Sequence, residues 1–226
     1  MQDGPTQGAI DVEADDAHLL ECWRDGDTEA GHVLLQRHFR SVYSFFVNKV
    51  DAANVDDLIQ ETFAHCIESR DRIRNASSFR AYLLSIARHR LFHLYRARTK
   101  EEKFLARETT ASKFVTSPST LLVRHEQSRI LLQALRSISI EHQIVLELTY
   151  WEHLSTSESA DVLEVPLGTL KSRVRRAREA LRVAFNRLSK LPEHAPATLD
   201  DLERWARSAR QAIGVPNDPA APRIDE

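Results

Sequence analysis

The sequence has 226 residues, enough for one large or two small domains, and its 42% hydrophobic and 28% charged residues are normal for a soluble globular protein. No stretch approaches the roughly 20 apolar residues that span a bilayer, and the acidic N-terminus lacks the apolar core of a signal peptide, so membrane insertion is not expected. The net charge of −2 hides two basic blocks, 68–103 and 129–190, inside acidic termini, which indicates a polyanionic partner contacted at two places unless the arginines are only solvated.

The N-terminal half predicts a bundle of four helices. Residues 1–14 are expected to be disordered, because Gly, Pro and acidic residues have little to bury. Apolar residues then recur at three- and four-residue spacing in four runs: Asp15 to the break at Gly26, Thr28 to Val50, Asp56 to Ser69, and Phe79 to about Arg98. Six glycines and few alternating Val/Ile/Thr runs agree with an all-α fold. The bundle is predicted over residues 15–103, with both cysteines as small buried residues of a reducing compartment.

The C-terminal half predicts a second, smaller helical domain. Residues 104–120 lose periodicity and gain Ser and Thr, which indicates a flexible linker, and helical patterns resume over 121–190. A Pro-containing break then precedes an extension, 191–226, with one amphipathic helix between a capping box at Thr198 and a stop at Gly214. The predicted architecture is therefore two small helical domains joined by a linker, plus a C-terminal helix.

A helix-turn-helix pattern lies within residues 155–188. Ser155 and Glu158 have the spacing of a capping box, and Pro166 separates a short helix from a longer one. The longer helix carries an apolar stripe on one side, and five of its eight residues from Lys171 to Arg178 are basic. A short helix, a tight turn and a basic helix are the arrangement that places the second helix in the major groove of DNA. The alternative is an amphipathic hairpin with a solvated basic face.

Two long segments together resemble a known family. The segment VDDLIQETFAHCIESRDRIRNASSFRAYLLSIARHRLFHLYR is near the pattern D-[LI]-x-QE-x-F, a polar loop, and SFR-x-WL-x-x-IA. The segment IEHQIVLELTYWEHLSTSESADVLEVPLGTLKSRVRRAREALR contains Glu-His, an apolar helix, Tyr-Trp-Glu and the pattern VP-x-GT-[VL]-[KR]-SR. In this order they resemble domains 2 and 4 of the bacterial extracytoplasmic-function (ECF) sigma factors, over about residues 15–188.

The resemblance implies a partner and a role for each block. Domain 2 would dock on the β′ clamp helices of core RNA polymerase and melt the −10 element, while domain 4 would read the −35 element and rest on the β flap. Polymerase-binding positions would be Asp56, Asp57, Leu58, Gln60 and Glu61. Contacts to the −10 element would come from Arg72, Arg74, Asn75, Ser77, Ser78, Phe79, Arg80, Arg88 and Arg96. Contacts to the −35 element would come from Thr169, Lys171, Ser172, Arg173, Arg175 and Arg176.

Five positions depart from the family pattern. Tyr82 stands where Trp is usual, Ser159 replaces an apolar residue, and Glu164 occupies a turn position where Gly often supplies a left-handed conformation. His89 and His93 stand where the family commonly has Asn and Asp. Their spacing suits a metal, but no HExxH or Cys/His cluster accompanies them, so no metal and no cofactor are predicted. No catalytic motif indicates an enzyme.

Two functional hypotheses follow, with a third that concerns the C-terminal extension. The first is a dissociable promoter-specificity subunit of RNA polymerase, held by an anti-sigma factor or another regulatory protein. The second is a stand-alone helix-turn-helix transcription regulator, which needs neither the acidic positions 56–61 nor the linker. The extension has an apolar stripe that predicts a helix docked on its own domain, or else a helix that binds a partner.

Overall fold

The computed structural model describes residues 14–47, 49–73, 78–105, 126–152 and 154–189, and every regular element among them is helical. The predicted all-α fold is confirmed over these residues. Residues 1–13, the linker from 106 onward, and the extension with its predicted capping box at Thr198 lie outside them.

The N-terminal unit consists of four helices: α1 (Asp16–Arg24), α2 (Thr28–Val47), α3 (Ala52–Ser69) and α4 (Phe79–Leu105). Helix α1 begins where the Asp15 side chain accepts a hydrogen bond from the His18 amide at 2.8 Å, and it ends before Gly26, whose φ of +105° favours glycine. Helices α2, α3 and α4 pack against one another, and α1 covers α2. The unit has a core of fully buried side chains that includes Leu20, Phe46 and Leu83.

Helices α1 and α2 meet closely, and an ion-pair cluster joins them. Gly31 lets the indole of Trp23 lie on α2, because a Cβ at this position would stand 2.4 Å from the indole Nε1 atom. Asp16 bonds Arg37 Nη1 and His38 Nε2, each at 2.6 Å. Desolvation raises the pKa of the Asp16 carboxyl, but the hydrogen bonds and charges of His38 and Arg37 outweigh it and hold that pKa below its ordinary value.

Several helix boundaries and faces differ from the sequence-based prediction. Helix α2 ends at Val47 instead of Val50, α3 begins at Ala52 instead of Asp56, and α4 continues to Leu105. Phe39 and Tyr43 fit the apolar spacing of α2 but are 46% and 38% exposed. They are exposed because the apolar stripe of this 20-residue helix is wider than the surface that its neighbours cover.

The C-terminal unit consists of α5 (Glu126–Ser137), α6 (Ile140–Leu146), a π-helical turn (Glu147–Trp151), α7 (Thr156–Leu163) and α8 (Leu167–Leu188). Helix α6 begins at Ser139, whose hydroxyl accepts from the His142 amide at 3.4 Å. Helices α5, α6 and α7 all pack on α8. Leu170, Ala177, Leu181 and Phe185 of the predicted stripe are buried, which confirms the inward face of α8, whereas Leu188 at its end is 43% exposed.

The two units dock directly on each other. Helix α4 packs along α7, and the Lys49 ammonium group, from the turn after α2, forms an ion pair with the Glu147 carboxylate of the π-helical turn. The Lys49 side chain has no exposed surface, and the Tyr95 hydroxyl donates to the Lys49 carbonyl oxygen at 2.5 Å. The contact between the units therefore contains buried charges.

Candidate nucleic-acid interface

The turn between α7 and α8 is built by the capping pattern that the sequence predicts. The Ser155 hydroxyl accepts from the Glu158 amide at 3.2 Å, and the Glu158 carboxylate accepts from the Ser155 amide at 2.8 Å. Both halves of the predicted capping box are therefore present. At the other end, Glu164 has φ 54° and ψ 46°, and the Val165 amide donates to the Ala160 carbonyl at 3.0 Å, as in a Schellman motif closed by a left-handed residue.

Helix α8 presents a basic face to solvent. Lys171, Arg175 and Arg176 are exposed, and none of them forms an ion pair within the described part of the chain. Thr169, Ser172 and Arg173 are half-buried at the edge of the apolar stripe. The six side chains that were predicted to contact the −35 element therefore lie in the first half of α8, outside its buried stripe, and the three exposed ones are cations.

The basic face continues into a groove of about 1070 Å³ between α8 and the turn that joins α5 to α6. Arg175, Arg176, Arg178, Arg182 and Arg187 line it. Arg182 is held by Glu179 through hydrogen bonds of 2.6 and 3.0 Å, so one of the five guanidinium groups is partly neutralised. Guanidinium groups at this density suit phosphates and the acceptor atoms of base edges.

The second basic region lies on α4 and at the loop that precedes it. Arg72 and Arg96 are exposed, while Ser78 and Arg80 are half-buried. Within the described residues, the Arg80 Nε atom is buried without a hydrogen-bond partner. Arg74, Asn75 and Ser77 lie outside the described residues.

The prediction that Phe79 contacts DNA is wrong for this fold. Its side chain has no exposed surface, and its ring centroid lies 5.4 Å from that of His38. A core aromatic residue at the first position of α4 anchors the helix to α2, so its contribution to the loop is indirect.

Arg88 and His89 of α4 contact the helix-turn-helix. Arg88 donates to the Val162 carbonyl oxygen at 3.3 Å, and its guanidinium lies 3.4 Å from the Glu164 carboxylate. His89 Nε2 lies 2.9 Å from the other oxygen of the same carboxylate. Within the described residues no group of three or more metal-binding side chains is found, and His89 makes an ion pair where a metal site had been considered.

Helix α3 exposes the acidic face that was predicted to bind polymerase, with one exception. Asp56, Asp57, Gln60 and Glu61 are exposed, but Leu58 is only 5% exposed. The assignment of Leu58 is therefore corrected, because a side chain in the bundle core cannot touch a partner that lies on the outside. Glu61 also lies 3.8 Å from Arg90, a long contact between half-exposed groups.

The sequence reasoning missed two features near these surfaces. Arg24 donates from Nη2 to the Ile73 carbonyl and from Nε to the Arg70 carbonyl at 3.4 Å, and so holds the start of the loop to the end of α1. Phe39 stacks between Tyr43 and Phe63, at centroid distances of 6.4 and 6.1 Å, beside α3. No local sequence pattern indicates the Arg24 contact. The aromatic stack could have been expected, because α2 carries more aromatic residues than its inward face needs.

Family models match the two halves in the same order. The model described as Sigma-70 region 2 matches residues 34–101, and the model described as Sigma-70, region 4 matches residues 128–181. The chain is 27% identical over 175 residues to the ECF RNA polymerase sigma-E factors of Salmonella typhimurium and Escherichia coli, with 74% of this chain and 92% of each relative covered. The Haemophilus influenzae sigma-E factor is 26% identical, with 93% of it covered.

Two solved structures share the fold. The sigma factor RpoE of Bartonella quintana, in complex with the anti-sigma factor NepR, matches with a TM-score of 0.56 and 22% identity over 67% of this chain and 94% of that one. CnrH, in complex with the cytosolic domain of CnrY, matches with a TM-score of 0.57 and 23% identity over 79% of this chain and 100% of that one. No helix among the described residues is long and apolar enough to cross a bilayer.

Proposed function

The chain belongs to the ECF sigma factors, which bind core RNA polymerase and direct promoter-specific initiation, and we propose that its two units divide this work as the basic and acidic faces suggest. The observation that carries the proposal is the exposed basic face of α8. It follows a capped and closed turn, in the region-4 match, downstream of a region-2 match that exposes acidic residues.

The C-terminal unit reads the −35 element through α8. Arg175 and Arg176 point to solvent from the first half of the helix, where a recognition helix contacts base edges. Arginine holds guanine bidentately, whereas Lys171 and the half-buried Arg173 are better suited to phosphates. Thr169 and Ser172, at the start of the helix, complete the backbone contacts.

The N-terminal unit opens and holds the −10 element. Arg72, Arg80, Arg88 and Arg96 supply cations along the loop and α4, and Ser78 supplies a hydroxyl group at their junction. Backbone contacts of this kind suit a single strand whose bases are unstacked. Arg74, Asn75 and Ser77 of the same loop belong to the proposal on the basis of sequence alone.

Polymerase binding falls to the exposed residues of α3. Asp56, Asp57, Gln60 and Glu61 form an acidic face that complements a basic coiled-coil partner such as the β′ clamp helices. The catalytic chemistry then belongs to the polymerase, and this chain contributes position and recognition without being an enzyme itself. Because polymerase and promoter are cytoplasmic, we infer that the chain acts there. Since the Bartonella quintana sigma factor was solved in complex with the anti-sigma factor NepR, an anti-sigma protein is the proposed antagonist of this chain.

The test is in vitro transcription with core RNA polymerase on a random promoter library. We expect the full chain to select promoters with paired −35 and −10 motifs. A variant with Asp56→Lys and Asp57→Lys is expected to lose core binding in a pull-down, while Glu68→Lys, an exposed acid at the far end of α3, keeps it. Failure of the unmodified chain to bind core enzyme, combined with sequence-specific DNA binding on its own, would support the stand-alone regulator instead.

A further inference from the structure

Arg88 and His89 on α4 face the end of α7, where Arg88 is mostly buried and His89 remains 56% exposed. Glu164 reaches across the contact between the units and places one carboxylate oxygen 3.4 Å from Arg88 and the other 2.9 Å from His89. Arg88 also donates to the Val162 carbonyl and lies over the Phe92 ring, 5.3 Å from its centroid. The helix-turn-helix is thus held to α4 by the residue that closes its own turn.

Glu164 is an unusual residue for this turn position. Its φ of 54° lies in the left-handed region, which glycine adopts freely and in which a residue with a side chain is strained. The Glu164 side chain is 60% exposed, so it is not needed to fill the core. Its interactions across the contact with Arg88 and His89 are the visible compensation for the strain.

The Glu164 carboxylate is an anion at neutral pH. Desolvation raises its pKa, but the charge and hydrogen bonding of His89, followed by those of Arg88, outweigh this and hold the pKa below its ordinary value. An anionic oxygen pair held by a guanidinium and an imidazole has the chemistry of a bound phosphate. Arg88 is also one of the side chains assigned above to the −10 strand, so one cation faces two anionic partners.

We propose that Arg88 and His89 form a phosphate-binding site for the −10 strand, and that Glu164 occupies this site when the units are docked. Docking of the helix-turn-helix on α4 and binding of DNA to α4 then exclude each other, and Glu164 is a latch that holds the closed arrangement. The identity of the DNA ligand rests on the function proposed above, whereas the latch does not.

A second charged contact between the units, the Lys49–Glu147 ion pair, also favours opening. Lys49 and Glu147 are buried as an ion pair, and each loses its hydration in the docked form. Separation returns that hydration, which lowers the cost of opening relative to an apolar contact of the same size. A competing anion on α4 would displace the Glu164 carboxylate, and separation of the units would then return hydration to Lys49 and Glu147.

The latch is tested by measuring the distance between the units in the full chain without polymerase. Spin labels at Ala64→Cys on α3 and Gln133→Cys on α5, both exposed positions, are introduced in a Cys22→Ser background, with the buried Cys66 left in place. Glu164→Gly removes the carboxylate and suits the left-handed turn, while Glu164→Gln removes only the charge. Asp161→Asn removes one exposed carboxylate from α7, three residues before Glu164, and is the matched control.

We expect double electron–electron resonance to show more of the longer, open distances in both Glu164 variants, by about two- to fivefold, which is the shift that one exposed ion pair produces. Asp161→Asn should match the unmodified chain. A mere structural role for Glu164 predicts no opening, since Glu164→Gly also relieves the turn and should raise Tm. Unchanged distances in both Glu164 variants would overturn the latch.

The phosphate site is tested with a fluorescein-labelled oligothymidylate, again without polymerase. Glu164→Gly should bind it more tightly than Asp161→Asn, although the two variants have the same net charge. Adding His89→Gln to Glu164→Gly should remove the gain, and equal affinities in all three would overturn the site. If the chain binds the oligonucleotide in this way but never binds core enzyme, the proposed function fails and the latch stands. If the chain binds core enzyme but the three variants bind the oligonucleotide equally, the phosphate site fails and the proposed function stands.

Discussion

Replacing Lys49 by methionine isolates a buried carboxylate between the two units. The Lys49 side chain has no exposed surface and donates to Glu147 and, at 2.6 Å, to the Phe45 carbonyl. Glu147 is 10% exposed. Burial raises the pKa of Glu147; Lys49 opposes that rise, and the Glu152 charge adds to it. The Lys49 ammonium group therefore offsets the desolvation penalty of the Glu147 carboxylate, and this penalty remains when Lys49 is replaced.

The expected loss of unfolding free energy depends on which charge of the Lys49–Glu147 pair remains buried. Removing one member of a buried ion pair costs about 3–5 kcal/mol, because the other stays buried and unpaired. Replacing both with apolar side chains, Lys49→Met with Glu147→Leu, should leave stability within about 1 kcal/mol of the unmodified chain or above it. The loss of unfolding free energy in Lys49→Met has an upper limit. Where burial of the unpaired Glu147 costs more than separation of the two units, the units separate and Glu147 is hydrated.

The assay is urea unfolding followed by circular dichroism, as a double-mutant cycle at two pH values. In Lys49→Met the folded-state pKa of Glu147 stands above its unfolded value of about 4.3, so bound protons stabilise the fold at low pH and this stability is lost as pH rises through the folded pKa. The penalty should thus be smaller at pH 5 than at pH 7. Lys171→Met, at an exposed lysine, is the control and should change stability by less than about 0.5 kcal/mol. Equal effects of the two lysine variants, or a double variant as unstable as Lys49→Met, would refute the reasoning.

Three further predictions concern DNA recognition, acid stability and thiol reactivity. Arg176→Ala should relax −35 preference in a promoter library by about 1–3 kcal/mol per lost base contact, whereas Lys171→Ala should weaken binding to all sequences and lower the salt slope by about one. Asp16→Asn should lower the free energy of unfolding by about 1.5–3 kcal/mol at pH 7, the range for hydrogen bonds to a charged group. Because the folded-state pKa of Asp16 is depressed, its contribution is present above the unfolded pKa and fades as pH falls through the folded one, so urea titrations of the two proteins should converge in acid. Burial raises the pKa of Cys66 to about 12, so Ellman's reagent should modify only the half-buried Cys22 in the native chain and both thiols after unfolding; two fast-reacting thiols would contradict the buried position of Cys66.

The sequence predicted the local features of the DNA-binding half well, because these depend on neighbours a few residues apart. The capping box at Ser155 and Glu158 is present, and the buried stripe of α8 follows its 3.6-residue period. The family resemblance, in contrast, assigned Phe79 and Leu58 to contact surfaces, although both are buried. Family patterns name positions without saying which side of a helix the rest of the bundle covers, and that is decided by packing.

The sequence by itself determined the helical fold class, the order of the two units, the turn before α8 and the family to which the chain is similar. Each of these depends on periodicity, capping or short motifs, which act within one or two turns of chain. Only the tertiary structure decided that Lys49 meets Glu147 across 98 residues and that Glu164 meets Arg88 and His89. Those contacts depend on how two units with charged faces pack against each other, and no spacing along the chain indicates which residues meet there.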